Sequence, residues 1–431
     1  MASTTKDGYI PRVADSEIAA YLETFGAVEV AGTKWCGKTW SSLRHGKSVA
    51  FVDEDIDLAR ADPKMMLVGE RPHVIDEWQE CPKIWDAVRH EVDLGASGTG
   101  QFILTGSACP LEGAHETPTH SGAGRFGRVR MFPMSLFESG ESTGSVSLSA
   151  LFDGDFEPCK VESDTHSLVE SACRGGWPAL VAGSQKDPQL LVHNYIDYTC
   201  TRSIPRLSLN TDTALRLLRS LSRNLCQSAT YKTLLSDMYG SKADAASMLS
   251  EKTLGKYLAV LKSMYLVEEI AGWTPQTRSR RRVMMKTKRY FADPSLPCAF
   301  LDMSPERLLR DWQTFGLVFE NMAMRDLMVY SQCLPHFGEH PIKYYRDDSG
   351  LECDAILELS DGRWAAIEIK ASEDKVEGAC ANLLRLKRKL CENPKAAAPE
   401  PSFMAVLVGV GAYARKTEDG VYVVPLSCLA P

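Results

Sequence analysis

The 431-residue sequence has no long hydrophobic run, no closely paired cysteines and no excess of basic residues. A helix needs about 20 apolar residues to cross a bilayer, and no run reaches about 18, so no transmembrane helix is expected. The first residues, Met1 to Asp7, lack the apolar core of a secretory signal peptide. These absences predict a cytoplasmic protein that does not bind membranes.

Metal-binding motifs are also missing. The thirteen cysteines include no Cys-x-x-Cys pair, and the nine histidines show no His-Glu-x-x-His spacing. Because structural zinc sites use such closely spaced ligands, no zinc site is predicted. Several cysteines lie in apolar runs, as Cys298 and Cys353 do, which indicates reduced structural thiols. The net charge of −7 gives no general attraction to nucleic acids.

One glycine-rich segment matches the phosphate-binding motif G-x-x-x-x-G-K-[ST] at every fixed position. Its residues are Gly32, Thr33, Lys34, Trp35, Cys36, Gly37, Lys38 and Thr39. In this motif the backbone N–H groups surround the phosphates, the lysine reaches the β and γ oxygens, and the hydroxyl binds Mg²⁺. A predicted strand precedes the segment and a predicted helix follows it, as such a loop requires. The segment predicts ATP and Mg²⁺ as ligands; a chance glycine loop is the alternative.

Two later apolar runs end in residues suited to nucleotide hydrolysis. The run at 74–77 ends in Asp76 and Glu77. In P-loop enzymes the first such carboxylate holds Mg²⁺ and the second can polarise the attacking water. The run at 102–107 would present Thr105 or Ser107 to the γ-phosphate or the water. An ordinary strand end is the alternative for this last run.

Strand and helix signals alternate in the first third of the chain. Strands are predicted at 27–31, 49–52, 73–76, 102–105 and 128–132, which favours a parallel sheet covered by helices. A Ser/Gly/Glu-rich stretch at 139–160 is expected to be a flexible connection or surface loop, and 165–207 a helical lid. The predicted domains are 1–145, 146–210, 211–295 and 296–431.

The middle of the chain predicts helices followed by a hairpin with a basic connection. Helical periodicity covers 211–272, and strands are predicted near 265–270 and 289–292. Between them the segment 278–289 has seven basic residues in twelve positions and no acidic one: Arg278, Arg280, Arg281, Arg282, Lys286, Lys288 and Arg289. This order is typical of a winged helix whose wing contacts DNA. Contacts with proteins only, or a solvated loop, are the alternatives.

The C-terminal third predicts a second catalytic group. A strand containing Asp354 is followed by an Asp-Gly turn and a strand with Glu368 and Lys370 on one face. Metal-dependent phosphodiester cleavage uses such a set, with the two carboxylates holding Mg²⁺ and the lysine orienting water. Glu320, in a predicted helix at 315–329, is a candidate fourth member. A solvent-exposed hairpin with a polar face is the alternative.

These blocks together resemble a group of prokaryotic AAA-type ATPases that carry a C-terminal region of unknown function with a PD-(D/E)xK nuclease-like fold. The segments that carry the resemblance are 32–39, 74–79, 102–107, 124–125, 130–135, 319–321, 352–354 and 367–370. The resemblance implies an α/β multidomain protein. Its parts would be an AAA-type ATPase core with a parallel sheet, a helical lid, a winged-helix-like middle module and an α/β restriction-endonuclease-like C-terminal domain.

The resemblance also implies further roles. Arg125 would be a sensor or arginine finger that completes a neighbour's site in a homo-oligomer, with Arg128 as the second candidate. The family loop typically has Arg-Gln where this chain has Lys34-Trp35. The leading hypothesis is a Mg²⁺-dependent ATPase coupled to a nuclease-like, DNA-interacting domain. The alternatives are an ATP-gated nuclease and a nucleotide-dependent oligomeric scaffold or regulator with a non-catalytic nuclease-like domain.

Overall fold

The computed structural model describes residues 8–95, 98–107, 118, 120–183, 187–207, 209–240, 248–336, 341–392 and 398–431. Contacts divide the chain into two compact units. The first runs to Pro133 and also takes in Trp177–Ala179 and Leu258–Leu266, while the second holds the remaining residues. The four predicted domain ranges remain a prediction. Within the described ranges, no helix is both long and apolar enough to span a membrane.

A parallel five-stranded sheet forms the centre of the first unit. Its elements are α1 (Ala14–Thr24), β1 (Ala27–Gly32), α2 (Lys38–His45), β2 (Ser48–Phe51), α3 (Ile56–Ala61), β3 (His73–Asp76), α4 (Lys83–Leu94), β4 (Phe102–Gly106) and β5 (Phe126–Met131). The strand order is β2-β3-β4-β1-β5, and every neighbouring pair is parallel. The five predicted strands and the predicted parallel sheet are confirmed.

Apolar side chains cover both faces of this sheet. Successive residues of a strand point to opposite faces. Val28 and Val30 accordingly pack in one core cluster, and Ala27 packs in the other, with Trp78 and Trp85. Burial on both faces explains why these strands are nearly continuous apolar runs. The sheet therefore holds the ends of its strands along one carboxyl edge, where the glycine-rich loop leaves β1.

After the parallel sheet the chain forms short strands and a set of helices, most of which belong to the second unit. From residue 146 the elements are β6 (Val146–Ser147), α5 (Leu148–Phe152), β7 (Cys159–Lys160), α6 (Thr165–Arg174), α7 (Pro178–Val181), α8 (Pro188–Tyr198), α9 (Ile204–Arg206), α10 (Thr211–Arg223), α11 (Tyr231–Tyr239) and α12 (Glu251–Ser263). A π-helical turn at Thr199–Ser203 joins α8 to α9. Side chains of Asp164, Asn210 and Thr230 accept backbone N–H groups at the starts of α6, α10 and α11, which fixes where these helices begin.

The rest of the chain forms a hairpin, a long helix and a mixed sheet. Its elements are β8 (Val267–Ile270), α13 (Arg280–Met284), β9 (Lys288–Phe291), α14 (Ser295–Phe300), α15 (Pro305–Arg310), α16 (Trp312–Tyr330), β10 (Ile342–Arg346), β11 (Glu352–Glu358), β12 (Trp364–Ser372), α17 (Val376–Cys391), β13 (Phe403–Val410), β14 (Tyr413–Lys416), β15 (Tyr422–Pro425) and β16 (Leu429–Ala430). The sheet order is β10-β11-β12-β13-β15-β14-β7. β10, β11 and β12 pair antiparallel, whereas β12, β13 and β15 pair parallel.

The stretch at 139–160 differs from the prediction of a flexible connection. β6 pairs with β16, and β7 pairs with β14 at the edge of the mixed sheet. The Ser142 hydroxyl donates a hydrogen bond of 2.7 Å to the Leu429 carbonyl. The prediction was wrong because the backbone partners that order this polar stretch come from the distant C-terminus.

The middle segment has the predicted order of elements. The helices α10, α11 and α12 precede the antiparallel pair β8 and β9, with Val267 opposite Phe291 and Ile270 opposite Lys288. The connection between the two strands contains a short helix, α13, rather than an extended wing. The winged-helix assignment itself remains a prediction.

Candidate functional site

The glycine-rich loop has the backbone that its two fixed glycines allow. A Cβ atom on Gly32 would lie 2.3 Å from the Met131 carbonyl oxygen, so no larger residue fits there without a backbone shift. Gly37 adopts a φ of 102°, in the left-handed region that favours glycine, immediately before α2 begins. The loop thus leads straight into the N-terminus of α2, where backbone N–H groups favour an anion.

Lys38 is buried against the glycine-rich loop. Its Nζ donates a hydrogen bond of 2.8 Å to the Thr33 carbonyl, and only 6% of the residue is exposed. The ammonium group is therefore held over the loop, in the place from which a P-loop lysine reaches phosphate oxygens. Lys34, by contrast, is exposed.

Arg12 supports this loop, and the sequence analysis missed it. Its Nη1 donates to the Cys36 carbonyl at 2.7 Å and its Nη2 to the Phe132 carbonyl at 2.8 Å. The buried guanidinium thereby ties the middle of the loop to the end of the strand beside it. No sequence motif marks Arg12, because its two partners lie far apart in the chain.

Trp35 and Cys36 have packing partners inside the first unit. Trp35 adopts a φ of 70°, and its ring stacks on Trp177 with centroids 5.8 Å apart. Cys36 is fully buried, and its Sγ lies 3.7 Å from the Met131 carbonyl. Cys36 is thus packed between the loop and the end of β5.

Asp76 meets the last residue of the loop. The Thr39 hydroxyl donates to an Asp76 carboxylate oxygen at 3.0 Å, and the Thr105 hydroxyl donates to the same oxygen. Asp76 and Thr105 are paired directly in the sheet register. Burial raises the pKa of Asp76, and the Thr105 hydrogen bond partly offsets that rise. Thr105 thus contacts the Asp76 carboxylate, and its predicted contact with the γ-phosphate or the water stays a prediction.

Magnesium fits this pair of residues. Mg²⁺ prefers hard oxygen ligands, and the Thr39 hydroxyl and the Asp76 carboxylate already lie in contact beside the loop. These two residues would hold the ion, as the sequence motif predicts.

Glu77 comes directly after the strand of Asp76. It adopts a left-handed backbone with a φ of 55°, which turns the chain sharply at the edge of the sheet. The Gln79 amide donates to its carboxylate, and the Ser107 hydroxyl lies 3.5 Å from the same oxygen. The structure thus brings the predicted residues Asp76, Glu77, Thr105 and Ser107 together at one edge of the sheet.

The predicted arginine finger lies at the opposite edge of the sheet. The Arg125 carbonyl accepts from the Ala27 N–H at the start of β1, whereas the glycine-rich loop leaves the end of that strand. At about 3.3 Å per residue, the length of β1 separates the two by roughly 17 Å. Arg125 binds Asp93 at 2.8 Å with its side chain 44% exposed. A role at the chain's own loop is therefore ruled out by position, and a role in a neighbour's site stays a prediction.

Two other arginines lie along β5. Arg128, the second candidate, donates to Glu29 at 2.7 Å. Arg130 is paired with Ala31 in the register, next to the start of the loop, and its guanidinium lies 3.9 Å from the centroid of the Tyr265 ring. The sequence analysis gave Arg130 no role, although it is the arginine of β5 nearest the loop.

The predicted C-terminal set also comes together. β11 and β12 pair with Ala355 opposite Ile367, which places Asp354 beside Glu368. Lys370 Nζ lies 3.1 Å from Asp354 and 2.6 Å from Glu368. Asp354 also accepts from the Ile369 N–H at 2.9 Å. The two carboxylates and the lysine therefore share one buried hydrogen-bond network.

Glu320 joins this network through a residue of the middle segment. Lys288, on β9, is 4% exposed and lies 3.7 Å from both Glu320 and Asp354. Its shortest ion pair, 2.6 Å, is with Glu352. The Tyr290 hydroxyl donates to Glu320 at 3.0 Å. The sequence analysis assigned Lys288 to a DNA-binding surface and missed its place in this acidic cluster, which we define as Glu320, Glu352, Asp354 and Glu368.

The pKa values of the carboxylates in the acidic cluster are shifted in different directions: two are raised and one is lowered. Burial and the nearby Asp354 charge raise the pKa of Glu320 to about 8 and that of Glu368 to about 7. Burial also acts to raise the pKa of Asp354, but Lys370 and Lys288 outweigh it, so that pKa is lowered. The two lysines thus favour the ionised form of Asp354.

Magnesium does not fit this cluster as it stands. Both Asp354 and Glu368 already accept hydrogen bonds from Lys370, and the remaining Glu368 oxygen accepts from Asn382 at 2.6 Å. Across the described ranges, no group of three or more His, Cys, Asp or Glu residues is arranged to hold a metal ion. We therefore derive no catalytic step through a metal at the acidic cluster.

Part of the basic segment 278–289 is also used inside the protein. Arg282 binds Glu358, and Arg289 binds Glu269 at 3.0 Å. With Lys288 buried, three of the seven basic residues are committed to internal carboxylates. These three residues are therefore not available for DNA contact in this structure, because tertiary contacts that the sequence does not show pair them with carboxylates.

Other basic residues of the segment face outward. Arg278, Arg280 and Lys286 are exposed, while the Arg281 side chain lies outside the described part of the structure. Lys286 lines an open groove of about 450 Å³ together with Lys232 and Arg289. A smaller basic patch therefore remains beside the starts of α11 and α12.

Comparison with protein families divides the chain into three parts. Residues 24–139 match a model described as an AAA domain, and residues 165–307 and 315–429 match two models described as domains of unknown function, DUF8612 and DUF4143. The first match agrees with the loop, the parallel sheet and the Asp76 contact. Residues 24–139 are therefore similar to an AAA-type P-loop ATPase domain, which supports ATP binding and hydrolysis.

Comparison with individual proteins adds little. No curated protein matches the chain. A solved structure of the Walker-type ATPase PABY2304 of Pyrococcus abyssi is similar at 12% identity and a TM-score of 0.44, covering 70% of this chain and 98% of that one. The Aeropyrum pernix ORC1 protein, solved in complex with DNA, is similar at 12% identity and a TM-score of 0.26, covering 69% and 94%. Both TM-scores are low, so neither likeness carries an argument about fold or function.

Proposed function

We propose that this protein binds ATP and hydrolyses it with Mg²⁺ at the glycine-rich loop. The contact between Thr39 and Asp76, at the junction of the loop and β3, is the observation that carries the proposal. It joins the two metal-binding positions of a P-loop site that are distant in sequence. The AAA-domain match over residues 24–139 supports the same activity.

Each residue has a defined task in this proposal. Lys38 neutralises phosphate oxygens, and Thr39 and Asp76 hold the magnesium ion, which neutralises phosphate charge when bound. Glu77 polarises the attacking water. Thr105 holds the Asp76 carboxylate in place, and the loop backbone surrounds the phosphates.

Replacing the loop lysine tests nucleotide binding directly. The variant Lys38→Ala removes the charge held over the loop carbonyl of Thr33, so we expect at least a tenfold loss of affinity for a fluorescent ATP analogue. Lys47→Ala, a lysine just beyond α2, is the matched control and should bind like the unaltered protein. Equal binding by both variants would refute the proposed site.

We further propose that the second unit interacts with DNA through a nuclease-like domain. The order α16-β10-β11-β12-α17-β13, with Asp354, Glu368 and Lys370 on adjacent strands, supports such a fold. The exposed cations Lys232 and Lys286 beside the starts of two helices support phosphate contacts.

Salt dependence distinguishes DNA contact from a scaffold role. The double variant Lys232→Ala/Lys286→Ala should weaken DNA binding and lower the slope of log K against log salt by roughly 2, about one per lost phosphate contact. Lys64→Ala, a lysine of the first unit, is the control. The alternative, a nucleotide-dependent oligomeric scaffold, predicts ATP-dependent assembly without any salt-sensitive DNA affinity.

We also propose a homo-oligomer in which Arg125 serves the site of a neighbouring copy. Its position far from its own loop, with an exposed side chain, supports this arrangement. Mixing Arg125→Ala with Lys38→Ala should then restore part of the ATPase activity, because each variant supplies the group that the other lacks. Absence of restoration under conditions where mixed oligomers form would remove Arg125 from the site.

A further inference from the structure

The acidic cluster contains two internal ammonium groups. Lys370 belongs to the predicted set on β12, but Lys288 comes from β9 in the middle segment. Lys288 lies within 3.7 Å of Glu320, Glu352 and Asp354. One buried cation thus contacts three of the four carboxylates, which come from two different elements, α16 and β11.

This position is the one in which a divalent cation would meet the cluster. Such ions are bound by carboxylate oxygens at about 2.0–2.6 Å, at the point where several carboxylates converge. Here the Lys288 Nζ lies at that point, 2.6 Å from Glu352. A metal ion and this ammonium group cannot share the space, and their charges repel each other.

The ammonium group is fixed where it is by more than one contact. Three carboxylates surround its Nζ, those of Glu320 and Asp354 at 3.7 Å and that of Glu352 at 2.6 Å. The Tyr344 ring centroid lies 5.4 Å from its Nζ. Removing one partner of a buried ion pair is costly, which keeps Lys288 in the cluster.

We propose that Lys288 is the built-in cation of the acidic cluster and excludes divalent metal ions from it. A metal ion among Glu320, Glu352 and Asp354 then requires β9 to withdraw from the cluster. This links the cluster to the basic segment that ends at β9 and carries the exposed Lys286. The proposal does not rest on ATP hydrolysis at the loop, so failure of either leaves the other standing.

Manganese binding to the full-length chain tests the proposal. Free Mn²⁺ is followed by electron paramagnetic resonance in the absence of nucleotide, for the unaltered protein and for Lys288→Met, each with and without Asp354→Asn. Binding at the glycine-rich loop is common to all four proteins, so the effect of Asp354→Asn reports the cluster alone. We expect Lys288→Met to gain one equivalent of Mn²⁺ that Asp354→Asn abolishes, and the unaltered protein to show no such equivalent.

Two control variants distinguish the loss of the Lys288 charge from a general disturbance of the structure. Lys288→Arg keeps the cation and should exclude Mn²⁺, while Lys286→Met, an exposed lysine two positions earlier, should behave like the unaltered protein. The proposal is overturned if the unaltered protein already loses a Mn²⁺ equivalent on Asp354→Asn, or if folded Lys288→Met gains none. Should Lys288→Met fail to fold, the comparison of the unaltered protein with Asp354→Asn still decides.

Discussion

Removal of the Arg12 side chain should damage the glycine-rich loop although none of the residues proposed to bind nucleotide is replaced. The guanidinium donates to the carbonyls of Cys36 and Phe132 at 2.7 and 2.8 Å, and only 8% of the residue is exposed. In Arg12→Ala both buried carbonyls lose their charged donor. The loop would then be free to move away from the strand that it is tied to.

The size of the effect can be worked out from these two hydrogen bonds. A hydrogen bond to a charged group contributes about 1.5–3 kcal/mol, and two that share one side chain do not add fully. We therefore expect Arg12→Ala to lower the free energy of unfolding of the first unit by about 3 kcal/mol. If about 2 kcal/mol of this is lost from loop preorganisation, ATP affinity falls roughly 30-fold.

Urea unfolding and titration with a fluorescent ATP analogue measure the two quantities. Arg12→Lys keeps the charge but cannot span two carbonyls, so it should fall between the unaltered protein and Arg12→Ala. Arg44→Ala, an arginine on α2, is the control. The reasoning fails if Arg12→Ala unfolds and binds nucleotide as Arg44→Ala does.

Two further predictions concern a glycine and a carboxylate. Gly32→Ala should abolish nucleotide binding because its Cβ would lie 2.3 Å from the Met131 carbonyl, whereas Gly316→Ala, in a helix with open space around it, should stabilise the protein by roughly 0.5–1 kcal/mol in thermal unfolding. Burial acts to raise the pKa of Asp347, but the hydrogen bonds from Lys389, Ser349 and the Leu351 N–H together outweigh it, so the folded pKa lies below its usual value. Its contribution to stability is thus present above the ordinary aspartate pKa and is lost as pH falls through the lower folded value. Asp347→Asn should be less stable at neutral pH and lose less stability between about pH 5 and pH 2, and an unchanged acid profile would contradict this.

Local sequence patterns were sufficient to predict the strands and the glycine-rich loop of the first unit. The strands β1, β3 and β4 are largely apolar runs buried on both faces, so their positions could be predicted from the local sequence alone. The glycine-rich loop could also be predicted, because its backbone needs glycine at fixed places. Asp76 and Thr39 were both predicted to hold Mg²⁺, and their 3.0 Å contact at one edge of the sheet agrees with that shared role.

The features that could not be predicted from the sequence depend on contacts between residues far apart in the chain. Arg12 lies in no motif, and only the fold brings the Cys36 and Phe132 carbonyls to one guanidinium. Lys288 was interpreted as part of an exposed basic segment, since charge runs are usually solvated. Three carboxylates from other elements bury it instead. Long-range pairing likewise orders the polar stretch at 139–160.

The rate of phosphate release from ATP by Glu77→Gln, beside the unaltered protein, tests the central claim most directly. The Glu77 carboxylate lies beside Gln79 and Ser107 rather than within the loop, so the variant should still bind ATP. Loss of a general base typically lowers a rate by about 10²–10⁴-fold. The account predicts normal nucleotide affinity with hydrolysis reduced by about a hundredfold or more. Hydrolysis at the unaltered rate would contradict it.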